Sequence, residues 1–225
     1  MRLTLFAAVI GLGGIAILMW LGIWQVQRLA WKQALLGDIE ATIADDPVPI
    51  AQGLDPFKRY LPVALSGHFD TGHIRVLASR KTLGPVYRIL RPFTTDGVGR
   101  VIVDTGWIRD GDPVLDVPTE ELDLIGNLNN PNEIDSFTPE PDLARNIWFA
   151  RDVDALAMAL DTRPILVVLR EMPESDLGVT PWPVDTAGIP NDHLQYAITW
   201  FSLAVIWGGM TFYFLLRTHR SRKES

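Results

Sequence analysis

The chain has 225 residues, which leaves room for one soluble domain and two membrane spans, and it carries no cysteine and a formal net charge of −7 at pH 7. The absence of cysteine excludes disulfides, thiolate metal sites, cysteine nucleophiles and thioether attachment of a cofactor. Nucleic-acid binding is also excluded, because an acidic chain without a compact basic patch lacks the cations that neutralise phosphates.

A first apolar segment runs without a charged residue from Leu3 to Trp24. It is long enough to cross about 30 Å of hydrocarbon as a helix, too long for the hydrophobic part of a signal peptide, and lacks a convincing small-residue cleavage site. We therefore expect a retained anchor. Only Met1 and Arg2 precede it, with no room for an Arg-rich presequence, so a bacterial membrane is favoured over an organelle.

The helix of this first span is expected to continue beyond the membrane. Trp24, Arg28 and Trp31 recur at helical spacing, and the helix should end at about Ala44, before the stop at Asp45-Asp46-Pro47. Tryptophans and cations at the end of a span are usually anchors that contact lipid headgroups. That interpretation remains open for these residues.

A second uncharged run, from Leu194 to Leu216, predicts another span, and the Asn-Asp pair just before it can cap the helix. Helical spacing puts His193, Tyr196 and Trp200 on one face. The positive end of the helix dipole disfavours a protonated imidazole, so His193 should be neutral, with a nitrogen lone pair free for a metal. The alternative is a polar anchor at the headgroup level.

Basic residues set the expected orientation: Arg2 precedes the first span, and Arg217, Arg220, Arg222 and Lys223 follow the second. Both termini should therefore be cytoplasmic, in a bacterial inner membrane, and the middle of the chain periplasmic. When these five cations and Glu224 are subtracted, the rest of the chain has 15 Lys and Arg and 26 Asp and Glu, which gives a net charge of −11 between the spans. The expected segments are a first span at 1–26, a periplasmic domain at 45–192, a second span at 193–216 and a basic tail at 217–225.

Between the spans, short apolar stretches alternate with turn residues, which is typical of strands. Strands are predicted at 60–69, 73–79, 86–93, 100–108, 121–127 and 165–169, with one short helix at about 153–160 and an irregular return loop at 172–192. The turns between the first four strands are short, so those neighbours should pair antiparallel. The predicted fold class is α+β, and an antiparallel sheet that curls into a partial barrel is favoured over a sheet covered by helices on both faces.

Motifs of common enzymes are absent: the sequence has no phosphate-binding glycine loop, no nucleophile elbow and no His-Glu-x-x-His pair. His68, Asp70 and His73 form the only close cluster of metal-ligand types. They straddle a predicted turn, where alternating strand faces should separate them, so an exposed turn is favoured over a metal site. Arg151 and Asp152 are interpreted as an ion pair and a helix cap rather than an acid-base couple. We therefore expect no enzyme.

Two segments at the span ends resemble the opening and closing signatures of the surfeit-locus-one family of cytochrome c oxidase assembly factors. They are Gly22-x-Trp24-Gln25-x-x-Arg28-x-x-Trp31-Lys32 and Asn191-x-His193-Leu194-x-Tyr196-x-x-Thr199-Trp200. Gly67-x-Phe69, Pro92-Phe93 and Asn146-x-Trp148-x-x-Arg151-Asp152 match between them, in the same order. The resemblance extends over nearly the whole chain and includes the two-span layout.

The resemblance implies a protein that binds haem a for the catalytic subunit of cytochrome c oxidase, with His193 at the position of the proposed haem ligand. Antiparallel spans would bring Trp24 and Arg28 to the membrane depth of His193 and Trp200. Arg28 can then pair with a propionate, Trp24 and Trp200 can pack against the macrocycle or its tail, and Tyr196 shares their face.

The partners implied by the resemblance are the oxidase subunit, membrane lipid and, as a further candidate, the haem a synthase. An alternative of a different class is a membrane scaffold that steadies the oxidase subunit or the synthase by protein contact and never binds haem. For either class, Gly11, Gly13 and Gly14 in the first span and Gly208 and Gly209 in the second predict a close approach of the two helices.

Overall fold

A computed structural model of the chain describes residues 2–80, 83–118, 120–171 and 177–221. These residues form two compact units, Met1–Asp38 with Thr186–Ser225, and Ile39–Asp185. The predicted return loop at 172–192 is described from residue 177 onward. Arg222 and Lys223 of the predicted basic tail lie outside the described residues.

Two long helices occupy the ends of the chain. Helix α1 spans Arg2–Ala44 and helix α4 spans His193–Ser221. Both are long and apolar enough to cross a membrane. Helix α1 continues without a break past Trp24, and the turn that ends it lies directly before Pro47, where the proline ring disfavours helix in the preceding residue. Two shorter helices lie between them, α2 at Ile50–Gly53 and α3 at Val153–Leu160.

The described residues between the long helices form eight strands: β1 Val48–Pro49, β2 Pro62–Phe69, β3 Ile74–Arg80, β4 Gly84–Thr95, β5 Gly99–Arg109, β6 Leu122–Asn129, β7 Ile147–Trp148 and β8 Leu166–Leu169. The six longer strands confirm the predicted ones, with ends shifted by a few residues. The two-residue strands β1 and β7 and the short helix α2 are additional.

Five of the strands close into a barrel in the order β2-β6-β8-β5-β4, with β4 paired back to β2. Most pairs are antiparallel, as predicted, whereas β5 and β8 are parallel. Strands β3 and β7 extend the sheet beyond β4, and β1 pairs with β2. The barrel is thus complete rather than partial.

Closure of the barrel depends on Gly67. Strand β2 pairs with β6 up to Gly67 and with β4 from Gly67 to Phe69. A Cβ atom at Gly67 would overlap the carbonyl oxygen of Thr94, so only glycine lets β4 come this close. Directly beyond the switch, the rings of Phe69 and Phe93 meet edge to face with centroids 4.9 Å apart.

The apolar core has an inner and an outer part. Side chains inside the barrel, among them Val63, Leu65, Phe93, Val101 and Leu124, are almost fully buried. Helix α3 covers the outside of the sheet with Val153, Leu156 and Leu160, packed against Val76, Leu90 and Ile102. Its first turn is capped by the Asp152 carboxylate, which accepts hydrogen bonds from the amides of Asp154 and Ala155.

Candidate functional site

Helices α1 and α4 pack against each other through glycines. A Cβ atom at Gly22 would lie 2.5 Å from the Phe201 ring, and Cβ atoms at Gly14 and Gly11 would overlap Trp207 and Thr211. Along the contact, residue numbers increase in α4 as they decrease in α1, so the two helices are antiparallel. The Trp207 indole N–H also donates to the Gly11 carbonyl across 3.1 Å. The pair is therefore held by close backbone approach.

The glycine prediction is partly correct. Gly11 and Gly14 meet α4, and Gly208 lies at ordinary contact distance from Ile15. Close approach at Gly13 and Gly209 is wrong, because no atom of the other helix lies within 4 Å of their Cβ positions. Adjacent glycines point in different directions around a helix, so only some of them can face the neighbour. Gly22 was not singled out, although it opens the first signature.

His193 is bonded to the opposite helix. Its Nδ1 atom lies 2.8 Å from the side-chain oxygen of Gln25, a residue that is only 8% exposed. An amide oxygen carries no hydrogen, so Nδ1 is the donor. In a neutral imidazole the lone pair then lies on Nε2, and the bond fixes both the tautomer and the direction of the ring. The expected free nitrogen of His193 is thereby assigned to Nε2.

Gln25 was missed as a site residue. It lies within the first signature, three residues before Arg28, and its burial between two apolar helices is what distinguishes it. A neutral amide gives no charge signal in a sequence. The signal that identifies it is its helical spacing of three from Gly22, which places both residues on the face that packs against α4.

Trp24 and Arg28 project to one side of α1. Successive residues of an α-helix are rotated by about 100°, so both lie to the same side of the buried Gln25. The Arg28 guanidinium lies 4.4 Å from the centroid of the Trp31 ring, a cation–π contact. Among the described residues no carboxylate pairs with Arg28, so its N–H groups can bind an anion.

Tyr196 and Trp200 project to one side of α4 by the same geometry, measured from the buried Ala197. Because α1 and α4 are antiparallel, this side coincides with the side of Trp24 and Arg28. The Trp200 indole nitrogen is buried and has no hydrogen-bond partner among the described residues. We call this surface the aromatic flank; it consists of Trp24, Arg28, Tyr196 and Trp200, and His193 lies at its edge.

His68 and Asp70 lie close together, but they do not form a three-ligand group with His73 in the part of the chain that the structure describes. His68 Nε2 lies 3.7 Å from one carboxylate oxygen of Asp70. The other carboxylate oxygen of Asp70 accepts hydrogen bonds from Thr94 at 2.8 Å and from Arg100 at 3.1 Å. Burial lowers the pKa of His73, and the nearby charges of two arginines lower it further. In the described part of the chain, no three His, Asp or Glu side chains are placed to hold a metal ion.

Arg151 and Asp152 have separate structural roles. Asp152 caps α3, as interpreted from the sequence, whereas Arg151 binds two distant acids. Its guanidinium lies 3.4 Å from Asp104 and also binds Glu133, and its backbone amide donates to Glu133 across 2.9 Å. Asp104 is in turn bonded to Arg88 at 2.6 Å. This buried network, which we call the ion network, was not predicted, because its members are far apart in sequence.

These features define a class: a two-pass membrane protein with a β-barrel domain between its spans and a histidine held between the two helices. The SURF1 family model matches residues 12–205, and the chain belongs to the SURF1 family. This family is known for cytochrome c oxidase assembly factors. The resemblance found in the signatures is confirmed.

Individual relatives are similar over most of the chain. Surfeit locus protein 1 of Rattus norvegicus is 28% identical over 217 residues, covering 81% of this chain and 67% of that protein. The Xenopus tropicalis protein of the same name is 27% identical, with the same coverage of 81% and 67%. A bacterial SURF1-like protein of Rickettsia bellii is 27% identical and covers 84% of this chain and 82% of its own.

Proposed function

We propose that this chain assists cytochrome c oxidase assembly by binding haem a at the aromatic flank and helping its delivery to the catalytic subunit. The observation that carries the proposal is the hydrogen bond from His193 to Gln25. Histidines that bind metals commonly donate their second ring nitrogen to a carbonyl or carboxylate, which orients the ring and fixes its tautomer. With Nδ1 committed to Gln25, Nε2 of His193 would be free to hold the haem iron.

The residues of the flank match the chemistry of the group. Trp24, Tyr196 and Trp200 supply aromatic surface for an apolar macrocycle, and Arg28 supplies N–H donors for a propionate carboxylate. Haem a supplies redox chemistry once it is bound in the oxidase. The chain contributes position and binding, and the proposal gives it no catalytic residue.

The same proposal includes the orientation in the membrane. The basic residues at both ends support cytoplasmic termini in a bacterial inner membrane, with the barrel domain in the periplasm. His193 then begins α4 at the periplasmic boundary. A reporter enzyme that is active only in the cytoplasm should be active when it is fused after Ser225. Activity of a periplasmic reporter at this position contradicts the orientation.

The test of haem binding is visible absorption of the detergent-purified protein from cells that make haem a. We expect a haem spectrum in the unmodified chain and its loss, or a large shift, in His193→Ala. His219→Ala is the matched control, because it removes an imidazole from the other end of α4. Circular dichroism should show both variants folded, since neither side chain lies in the barrel core.

The outcomes separate the two classes of function. An unchanged spectrum in well-folded His193→Ala would disprove His193 as the residue that holds the iron. No haem in the unmodified chain, together with intact support of oxidase assembly in cells, favours the scaffold that acts by protein contact. Gln25→Leu should shift the spectrum without abolishing it, because the ligand remains while its orientation is freed.

A further inference from the structure

A groove lies on the barrel domain, beside helix α3. It has a volume of about 570 Å³ and is open to solvent along one side. Its walls come from α3 and from the segment between β6 and α3. The lining is mainly apolar, with Ile134, Pro139, Leu143, Phe149 and Met158 around the buried Trp148.

The rim of the groove exposes large apolar side chains. The lining residues Met158 and Leu143 are 79% and 74% exposed, and Phe137, the chain neighbour of the lining residue Thr138, is 89% exposed. Single exposed apolar residues are common on proteins, but a cluster that borders a concave apolar surface marks an interaction site. Contact of this apolar surface with water is unfavourable, and a bound partner would remove that contact.

The walls of the groove are fixed, although the segment between β6 and β7 has no regular secondary structure. Arg151 binds Glu133 through its guanidinium and its backbone amide, which ties the start of the segment to its end. Asn146, at a positive φ of 53°, donates to the His73 carbonyl across 2.9 Å. These residues belong to the Asn146-to-Asp152 motif of the sequence. The motif therefore builds the groove, a role that haem binding does not use.

Acidic residues surround the groove. Glu140 and Asp152 line it, and Asp135 and Asp154 lie next to lining residues in the chain. The pKa of Asp135 is lowered by hydrogen bonds from Phe137 and Thr138, which keep its carboxylate ionised. Arg145, the nearest exposed cation in the chain, lies 3.8 Å from Asp142, and Arg151 is committed to the ion network. The groove thus combines an apolar floor with a negative rim.

We propose that this groove binds a segment of a partner protein that inserts apolar side chains and carries Lys or Arg beside them. The charge decides between possible occupants. An anionic membrane surface would be repelled by the rim, and so would a second copy of this acidic chain. A basic, apolar segment satisfies both the floor and the rim.

The test uses the full chain in nanodiscs of neutral phosphatidylcholine and two fluorescent peptides of alternating Leu and Lys or Leu and Glu. Anisotropy should report binding of the Leu/Lys peptide at least tenfold tighter than the Leu/Glu peptide. The double variant Leu143→Ser/Met158→Ser should weaken this binding at least tenfold, because it removes apolar contact without changing charge. Leu83→Ser, an exposed apolar residue outside the groove, is the matched control and should bind as the unmodified chain does.

Two further measurements complete the test. Glu140→Gln/Asp154→Asn should weaken binding and reduce its dependence on salt. His193→Ala should bind the peptide normally, so that failure of the groove and failure of haem binding are separate results. Equal peptide affinity of Leu143→Ser/Met158→Ser and Leu83→Ser overturns the proposal. The proposal also fails if the unmodified chain pellets with anionic vesicles and the double serine variant does not, because the groove would then bind membrane.

Discussion

The barrel domain and the helix pair bury polar groups in opposite ways. In the barrel, the Asp104 side chain is fully buried and lies between two arginines, Arg88 and Arg151. In the helix pair, the packed surfaces carry glycine and alanine, and the neutral pair of Gln25 and His193 is the polar contact between side chains described there. In the first case, Oδ2 of the acid lies beside both cations, while Oδ1 is buried and has no hydrogen-bond partner among the described residues. In the helix pair, His193 keeps its Nε2 atom free.

This difference guides the assignment of roles. A fully buried acid between two internal cations is closed to a ligand, and its removal leaves buried cations uncompensated, which destabilises the fold. A buried polar pair that leaves one ring nitrogen unused is a candidate for binding. The ion network is therefore structural, and His193 is the functional candidate. The predictions below separate these roles, from the largest expected effect to the smallest.

Asp104→Ala should have the largest effect on stability. It leaves Arg88 and Arg151 as buried cations without their shared acid, which costs about 3–5 kcal/mol of unfolding free energy. Tryptophan fluorescence during urea unfolding measures the loss. Asp110→Ala, at an exposed position in a turn, is the control and should change the free energy by less than about 0.5 kcal/mol. Similar midpoints for the two variants contradict a structural role for the network.

Gly22→Ala tests the packing of the helix pair. The added methyl would lie 2.5 Å from Phe201, and overpacking of this kind costs about 1–3 kcal/mol. Unfolding of the detergent-solubilised protein in SDS should show the loss, and bound haem should decrease with it. Gly13→Ala faces open space and should be neutral. The double variant Gly22→Ala/Phe201→Ala should regain part of the stability that Gly22→Ala loses. If it regains none, the contact between Gly22 and Phe201 does not explain the loss.

Acid should weaken the attachment of the groove segment. Burial raises the pKa of Glu133, but hydrogen bonds and charge from Arg151 outweigh it, so the pKa is below its ordinary value. The stabilisation is complete above the ordinary carboxyl pKa and is lost as pH falls through the lower folded value. Because Glu133 is partly exposed, we expect about 1 kcal/mol or less. Glu133→Gln should flatten the acid limb of a stability–pH curve, and an unchanged limb would contradict the assignment.

Arg28→Ala should have the smallest effect among these variants. An exposed ion pair with a propionate contributes about 0.2–1 kcal/mol, so haem retention should fall by only a few-fold. His193→Ala should lose far more, because no equivalent ligand is nearby. Retention during dilution and gel filtration compares the two. Equal loss in both variants would indicate collapse of the helix pair rather than loss of specific contacts.

Most of the fold could be predicted because its signals are local. The turn residues before and after β2 to β5 limit each strand to a few possible ends, and the uncharged runs define α1 and α4. Barrel closure could not be predicted, since it depends on Gly67 meeting Thr94, a contact between strands. The number of strands alone permits an open sheet as well.

The candidate site was only partly accessible to sequence reasoning. Residues with distinctive chemistry, such as His193 and Arg28, are recognisable by type and spacing. Gln25 shares a helix face with Gly22 by its spacing, but that this face is buried is known only from the packing of α1 against α4. The groove was missed for a similar reason: its walls depend on Arg151 meeting Glu133, 18 residues earlier in the chain.

The closed ring of five strands also restricts how a partner can recognise the domain. Proteins with an open sheet often bind an extended peptide as an extra strand through main-chain hydrogen bonds, which tolerates many side chains. Each strand of the ring already has two neighbours, and the ends of the sheet are the two-residue strands β1 and β7. Over the paired lengths of the ring, recognition must therefore use side chains, and exchange of single residues in a partner that binds there should alter its affinity sharply.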